Sequence, residues 1–232
     1  MKKVIILIIG NEILSGEIKD TNGYYLMGQF REMGFEVLSS HILKDDIGYV
    51  SNLIRNIFNS CDFLFTVGGL GPTIDDITLD AVAKALNLKL EIKSFSTSLE
   101  YRNASGSETK NNTLKKHVVG SEIINTANGP IVNIKNIYCL PGLPSLVKSR
   151  FEYLKQIFKS SEIKQIRKEI YLDLPQSSLS LILEELKNKY SQVSIGCYPQ
   201  SSNNRKTKVL FTSDSKLELE NIIKDFSTAL NK

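Results

Sequence analysis

The chain has 232 residues and a formal net charge of +4, from 29 Lys+Arg against 25 Asp+Glu, which suits one large domain or a medium domain with a small companion. The longest apolar run, Val4 to Ile9, is far short of the about 20 residues a membrane helix needs. Met1-Lys2-Lys3 leads into that run without a cleavage pattern, and basic residues occur singly or in short groups such as Arg205-Lys206-Thr207-Lys208, so a membrane protein, a secreted protein and a nucleic-acid binder are not expected and a cytoplasmic protein is. Cys61, Cys139 and Cys197 are scattered among apolar neighbours and odd in number, the pattern of reduced core thiols. Charge is uneven: residues 1–92 carry 8 Lys+Arg against 12 Asp+Glu, the remainder 21 against 13. Two readings stand, an acidic half holding metal or sugar hydroxyls beside a basic half attracting phosphate, or solvated faces that merely differ.

Lys3 to Ile9 is β-branched and apolar at consecutive positions, as expected of a central parallel strand covered on both faces. Gly10-Asn11-Glu12 breaks it. Asp20-Thr21 offers an N-cap for a helix with Tyr25, Leu26, Phe30 and Met33 on one side, ended by Gly34. Glu36 to Leu43 is a second strand, and Asp45-Asp46 caps a helix whose Val50, Leu53, Ile54, Ile57 and Phe58 form one face.

Asp62 to Val67 is a third strand, and Ile77 to Leu86 a helix with Leu79, Val82, Ala83 and Leu86 at helical spacing. Between them, Gly68, Gly69 and Gly71 remove side chains, so that backbone N–H groups and the following helix start can meet an anion. Asp75 and Asp76 in the same turn would repel a bound phosphate unless a cation or a sugar hydroxyl lay between. Ile74 stands where G-x-G-x-x-G needs its third glycine and no G-K-[ST] follows, which excludes the dinucleotide fingerprint and the ATPase loop. The alternative is a tight turn whose aspartates cap the helix.

Alternating strand and helix predicts a parallel sheet with helices on both faces. Ligands of such sheets bind beyond the carboxyl ends of the strands, a rule that gathers Asn11-Glu12, Asp45-Asp46 and the Gly68 to Asp76 turn onto one edge. After Asn87 come a short strand, Lys89 to Ile92, and a weak helix to Arg102; Asn103 to Asn112 is an exposed loop or a lid. Ile131 to Ile134 and Ile137 to Leu140 predict a hairpin, followed by Pro141-Gly142-Leu143-Pro144-Ser145 and a helix bearing Leu146, Val147, Arg150, Leu154, Ile157 and Phe158. That turn is a second anion-holding helix start or a stiff proline turn. From about Ile166 the pattern becomes strand, helix, strand, strand, helix, a small α+β domain whose last helix opens on a Ser215/Glu218 capping box. The expected division is residues 1–165 and 166–232.

The segments GNEILSG (10–16), DTN (20–22), GGLGPTIDDIT (68–78), NN (111–112), LPGLPS (140–145) and IGCYP (195–199) together resemble the CinA-type, competence-damage-inducible-like family. Its first domain has the molybdopterin-binding fold shared with gephyrin and molybdenum cofactor biosynthesis proteins. The resemblance implies a three-layer α/β domain and a site assisted by a divalent metal, Mg, Mn or Co; with His41 and His117 the sole histidines and no cysteine pair, zinc is not expected. It implies that Asn11, Asn22, Gly68, Gly69, Leu70, Gly71, Thr73, Pro141, Gly142, Leu143 and Ser145 contact substrate or its phosphates. Glu12, Asp45, Asp75 and Asp76 are then metal ligands, and Asp75 and Asp76 also the catalytic carboxylates. The implied activity is metal-dependent hydrolysis of ADP-ribose or a similar nucleoside diphosphate sugar. The alternative is a molybdopterin-binding protein, with the pterin phosphate as ligand, acting in molybdenum cofactor biosynthesis. A homo-oligomer is expected by resemblance. Two departures are visible: Thr126-Ala127-Asn128-Gly129-Pro130 replaces the family's longer Asn-Pro-x-Gly-x-Ala-Pro-Gly-like segment, and no amidase domain follows, so nicotinamide-nucleotide deamidation is not expected.

Overall fold

The side chains of the first strand point alternately into two separate cores, and the rest of the larger unit is arranged around that division. The computed structural model describes residues 1–95, 113–158, 165–200 and 207–230, in two compact units, Met1–Ser161 and Glu162–Lys232. The first contains β1 (Lys3–Ile9), α1 (Asn11–Leu14), α2 (Asn22–Glu32), β2 (Glu36–Leu43), α3 (Ile47–Ile57), β3 (Phe63–Val67) and α4 (Thr78–Leu86). It continues with β4 (Leu90–Phe95), β5 (Thr113–Val118), β6 (Glu122–Ile124), β7 (Ile131–Ile134), β8 (Ile137–Leu140) and α5 (Pro144–Ile157).

Six strands form one sheet in the order β2-β1-β3-β8-β7-β6. The β1 pairs with β2 and β3, and the β3 pair with β8, are parallel; β7 pairs antiparallel with β8 and β6. Strand side chains alternate between faces: Ile5, Leu7 and Ile9 pack with Val50 and Ile54 of α3 and Ala81, Val82 and Ala85 of α4. Val4, Ile6 and Ile8 pack with Leu26 and Phe30 of α2 and Val147, Phe151 and Leu154 of α5. The result is a three-layer α/β unit with a mainly parallel sheet. Its α2/α5 side is aromatic, with the Phe30 and Phe151 rings edge-to-face at 4.9 Å and Phe30 at 4.9 Å from Phe65, a geometry favoured by the ring quadrupoles. Among the described residues no helix is long and apolar enough to cross a membrane.

Strand β4 continues through Phe95 and pairs antiparallel with β5, so the helix expected after Ile92 is not found at its start. The pairing partner, unrecognised in the sequence, outweighs a weak local helical pattern. The rest of that helix and the loop expected at 103–112 lie outside the described residues. Asn87 ends α4 in the left-handed conformation, φ 54°, as its helix-stop chemistry anticipates.

The second unit holds β9 (Ile166–Leu172), α6 (Ser180–Lys189), β10 (Ser194–Pro199), β11 (Thr207–Ser213) and α7 (Lys216–Leu230). Its antiparallel sheet has the order β10-β11-β9. Val209 and Phe211 of β11 meet Leu186 of α6 and Leu219, Ile222 and Phe226 of α7. The Ser215 hydroxyl accepts from the Glu218 N–H at 3.3 Å, the N-terminal half of the expected capping box.

Candidate functional site

Register brings the ends of four strands to one level: Ile9 lies beside Leu43, Ile8 beside Val67, and Val67 beside Leu140. The Gly10 N–H donates to the Leu43 carbonyl and the Gly68 N–H to the Leu140 carbonyl, each at 3.0 Å, carrying the pairing one residue further. Asn11-Glu12, Asp45-Asp46, the Gly68 to Asp76 turn and the Pro141 to Ser145 turn therefore occupy one rim of the sheet, as the carboxyl-end rule requires.

Gly68 has no substitute in this geometry. Its φ is 100°, and a Cβ there would collide with the Ile9 carbonyl oxygen, so the turn lies directly against β1. Gly69, φ 63°, places a would-be Cβ 2.5 Å from the Thr78 hydroxyl. Thr78 itself is fully buried; its hydroxyl donates to the Gly68 carbonyl at 2.7 Å and its N–H to the Gly69 carbonyl at 3.1 Å. Leu70 is half-buried against the α3/α4 core. Further along, Asp76 turns inward: its Oδ2 accepts from the Thr73 N–H at 2.8 Å and the Thr73 hydroxyl at 2.7 Å. A Cβ on Gly71 would lie 2.5 Å from the same oxygen. Asp76 thus clamps its own turn. Asp75, beside it, is exposed; the Thr73 hydroxyl has one proton to give, and the 2.7 Å contact assigns it to Asp76.

The second turn meets the first directly: a Cβ on Gly142 would be 3.6 Å from the Gly68 Cα. Asn22, at the start of α2, donates from Nδ2 to the Gly142 carbonyl at 2.7 Å, fixing that turn to the opposite helix layer. Pro144 stands in the first helical turn of α5, Leu143 precedes it, and no side chain caps the helix; the Leu146 and Val147 N–H groups both donate to the Leu143 carbonyl at 3.0 Å, which leaves the Ser145 N–H as the helix-start donor open to a ligand. Pro141 is half-buried, whereas Gly142, Leu143 and Ser145 are exposed. Within α5, buried Arg150 donates to the Asn128 carbonyl from Nε at 3.3 Å and Nη2 at 3.2 Å. Arg150 thereby packs the shortened 126–130 segment against the helix.

The acids share a field without converging. Asn11 and Asp45 are joined reciprocally, Asn11 N–H to Asp45 Oδ2 at 2.9 Å and Asp45 N–H to Asn11 Oδ1 at 3.2 Å. Burial raises the Asp45 pKa, the Asn11 N–H opposes that rise, and the charges of Glu12, Asp75 and Asp76 add to it. Asp46, in contrast, caps α3 through the Tyr49 N–H at 2.7 Å. The Glu12 carboxylate folds over Gly10, where a Cβ would lie 2.6 Å from Oε1. Among the described residues no group of three or more His, Cys, Asp or Glu side chains could hold a metal ion as they stand.

Sequence reasoning gave no role to Thr78 or Ile74. Thr78 closes the glycine turn from the first residue of α4, and the signal was a threonine where the helical pattern faces the core. Ile74, at the tip of the turn, has 101% relative exposure, and its signal was an isoleucine inside a polar Gly-Pro-Thr-Ile-Asp-Asp run. With Leu143, 59% exposed, it gives each of the two turns an uncovered apolar side chain.

The family described as "Probable molybdopterin binding domain" matches residues 5–160, and that described as "FAD synthase, middle domain" matches residues 164–232. A CinA-like protein of Thermosipho melanesiensis is 36% identical over 206 residues, covering 84% of this chain and 51% of that protein. A protein of Archaeoglobus fulgidus is 28% identical over 233 residues, 98% of this chain and 97% of its own. A "Probable FAD synthase" of Caenorhabditis elegans is 28% identical over 257 residues, 96% of this chain and 49% of that protein. The chain therefore spans about half the length of the CinA-like and FAD-synthase relatives it matches. The crystal structure of CinA, of unknown function, from Thermoplasma acidophilum shares the fold with TM-score 0.57 at 22% identity, over 67% of this chain and 97% of that one. With two-thirds of its length matched by that family model, the chain belongs to the molybdopterin-binding-domain family, and it is similar to CinA-like proteins.

Proposed function

We propose that the carboxyl edge of the first unit binds a phosphorylated pterin of the molybdopterin class. The carrying observation is the direct approach of the Gly142 turn to Gly68, which sets the two glycine-containing turns beside each other. The phosphate would lie between the N–H groups of the glycine turn and the Ser145 N–H at the α5 start, and the planar ring against Leu143 and Ile74, both exposed. Membership of the molybdopterin-binding family supports this reading. Thermal-shift measurement tests it: a pterin phosphate is expected to raise the melting temperature, and no rise at millimolar pterin phosphate would count against it.

A second reading, divalent-metal-dependent hydrolysis of ADP-ribose or a related diphosphate, draws on one observation, the negative field that Glu12, Asp75 and Asp76 impose on Asp45. A cation would relieve that repulsion. The carboxylates as placed do not form a ligand group. AMP release from ADP-ribose with Mg²⁺, Mn²⁺ or Co²⁺, abolished by Asp75→Asn, would favour this second reading. Its absence with all three metals would remove it.

A further inference from the structure

We propose that the second unit carries an anion site of its own, a groove between β9 and α7 that takes a phosphorylated small molecule of mononucleotide size. The groove is open to solvent and measures about 430 Å³, within the range of roughly 300–1,000 Å³ typical of small-ligand sites.

Its signature is a lysine in an apolar row. Across the sheet, Ile170 pairs with Val209 and Lys168 with Phe211, and both partners are fully buried in the core. Directly paired residues share a face, so Lys168 stands in the core-facing row of β9, with Ile166, Ile170 and Leu172. An ammonium in that row breaks the period-two pattern that builds the strand, and Lys168 is exposed because the groove opens beside it. Facing it, Lys216, Glu220 and Lys224 lie along one stripe of α7, with Leu219 and Ile223 between them as an apolar floor.

The charge is unbalanced. Glu220 is the one acid in the lining, and it reaches Lys216 at 3.8 Å between side chains 62% and 78% exposed, a pairing of little worth in water. Among the described residues no ion pair engages Arg167, Lys168 or Lys224, all three of which line the groove. Two ammonium groups, of Lys168 and Lys224, beside an apolar floor match a phosphate monoester joined to a flat or apolar body. Charge complementarity selects that occupant over a neutral one.

The test is methyl NMR on the full chain, titrated with AMP and, separately, with inorganic phosphate. AMP is expected to shift the Ile166, Leu219 and Ile223 methyl signals saturably, with phosphate acting on the same signals more weakly. The Lys168→Glu/Lys224→Glu variant is expected to lose about tenfold or more in affinity, and Lys168→Gln/Lys224→Gln to lose less, while the signals of buried Ile222 and Val209 stay in place. Unmoved Ile166, Leu219 and Ile223 methyls at millimolar AMP, or charge-reversed protein that binds like the parent, would overturn the proposal. Binding at the carboxyl edge of the first unit is read on different residues and neither mimics nor hides the result.

Discussion

The buried Thr78 hydroxyl donates to the Gly68 carbonyl at 2.7 Å, so the first residue of α4 holds the turn that follows β3. Replacing it by valine keeps the shape and leaves that carbonyl without its partner. Thr78→Val is expected to cost about 1–3 kcal/mol in urea unfolding and to weaken ligand binding at the rim. Unchanged stability would mean that the turn is held by its backbone alone.

Gly68→Ala is expected to cost more than about 2 kcal/mol, because the new Cβ would strike the Ile9 carbonyl at a φ of 100°. Gly16 is the control: its φ is 80° but a Cβ there meets nothing within 4 Å, so Gly16→Ala should cost only about 1 kcal/mol. Chemical denaturation of both variants reads the difference, and equal losses would show that the approach to β1 is not the constraint.

The two aspartates of the turn are expected to separate. Asp76 clamps Thr73 through one oxygen, so Asp76→Ala should disorder the turn, lower stability by about 1–3 kcal/mol and weaken any ligand. Asp75 is fully exposed. Asp75→Asn should leave the melting temperature unchanged, so that any effect on ligand binding or turnover reports a role at the ligand itself.

Asp45 gives a pH dependence of defined sign. Its folded-state pKa is raised, so the native state holds that proton more tightly than the unfolded chain. Its charge therefore destabilises the fold above the folded pKa, and the penalty fades as pH falls through that value. Asp45→Asn, whose carbonyl can still accept from the Asn11 N–H, is expected to raise the melting temperature at neutral pH. The gain should vanish at pH values below the ordinary carboxylate range. A gain that persisted in acid would assign the effect to packing.

The fold was legible where one signal dominated. Consecutive β-branched residues in β1, helical spacing in α3 and Pro144 in the first turn of α5 each point to a single answer, and parallel connectivity then gathers the rim. The β4/β5 pair was not legible, because its stability comes from a partner strand 18 to 28 residues away, and helical and strand patterns are alike over so short a stretch. At the rim, residue types identified the turn but not the direction of its side chains. Asp75 and Asp76 are neighbours in sequence, yet one faces solvent and the other its own backbone, and Asn22 is spent on the Gly142 carbonyl. Thr78 escaped notice because a threonine at a helix start reads as capping chemistry, whereas its hydroxyl reaches back ten residues.

The most direct test is an amide NMR titration of the full chain with a molybdopterin-class pterin phosphate. The largest shifts are expected at the Gly69, Gly71 and Ser145 N–H groups, together, with one affinity. A ligand that binds while those three signals stay still, or that moves one turn and leaves the other untouched, would contradict a phosphate held between them.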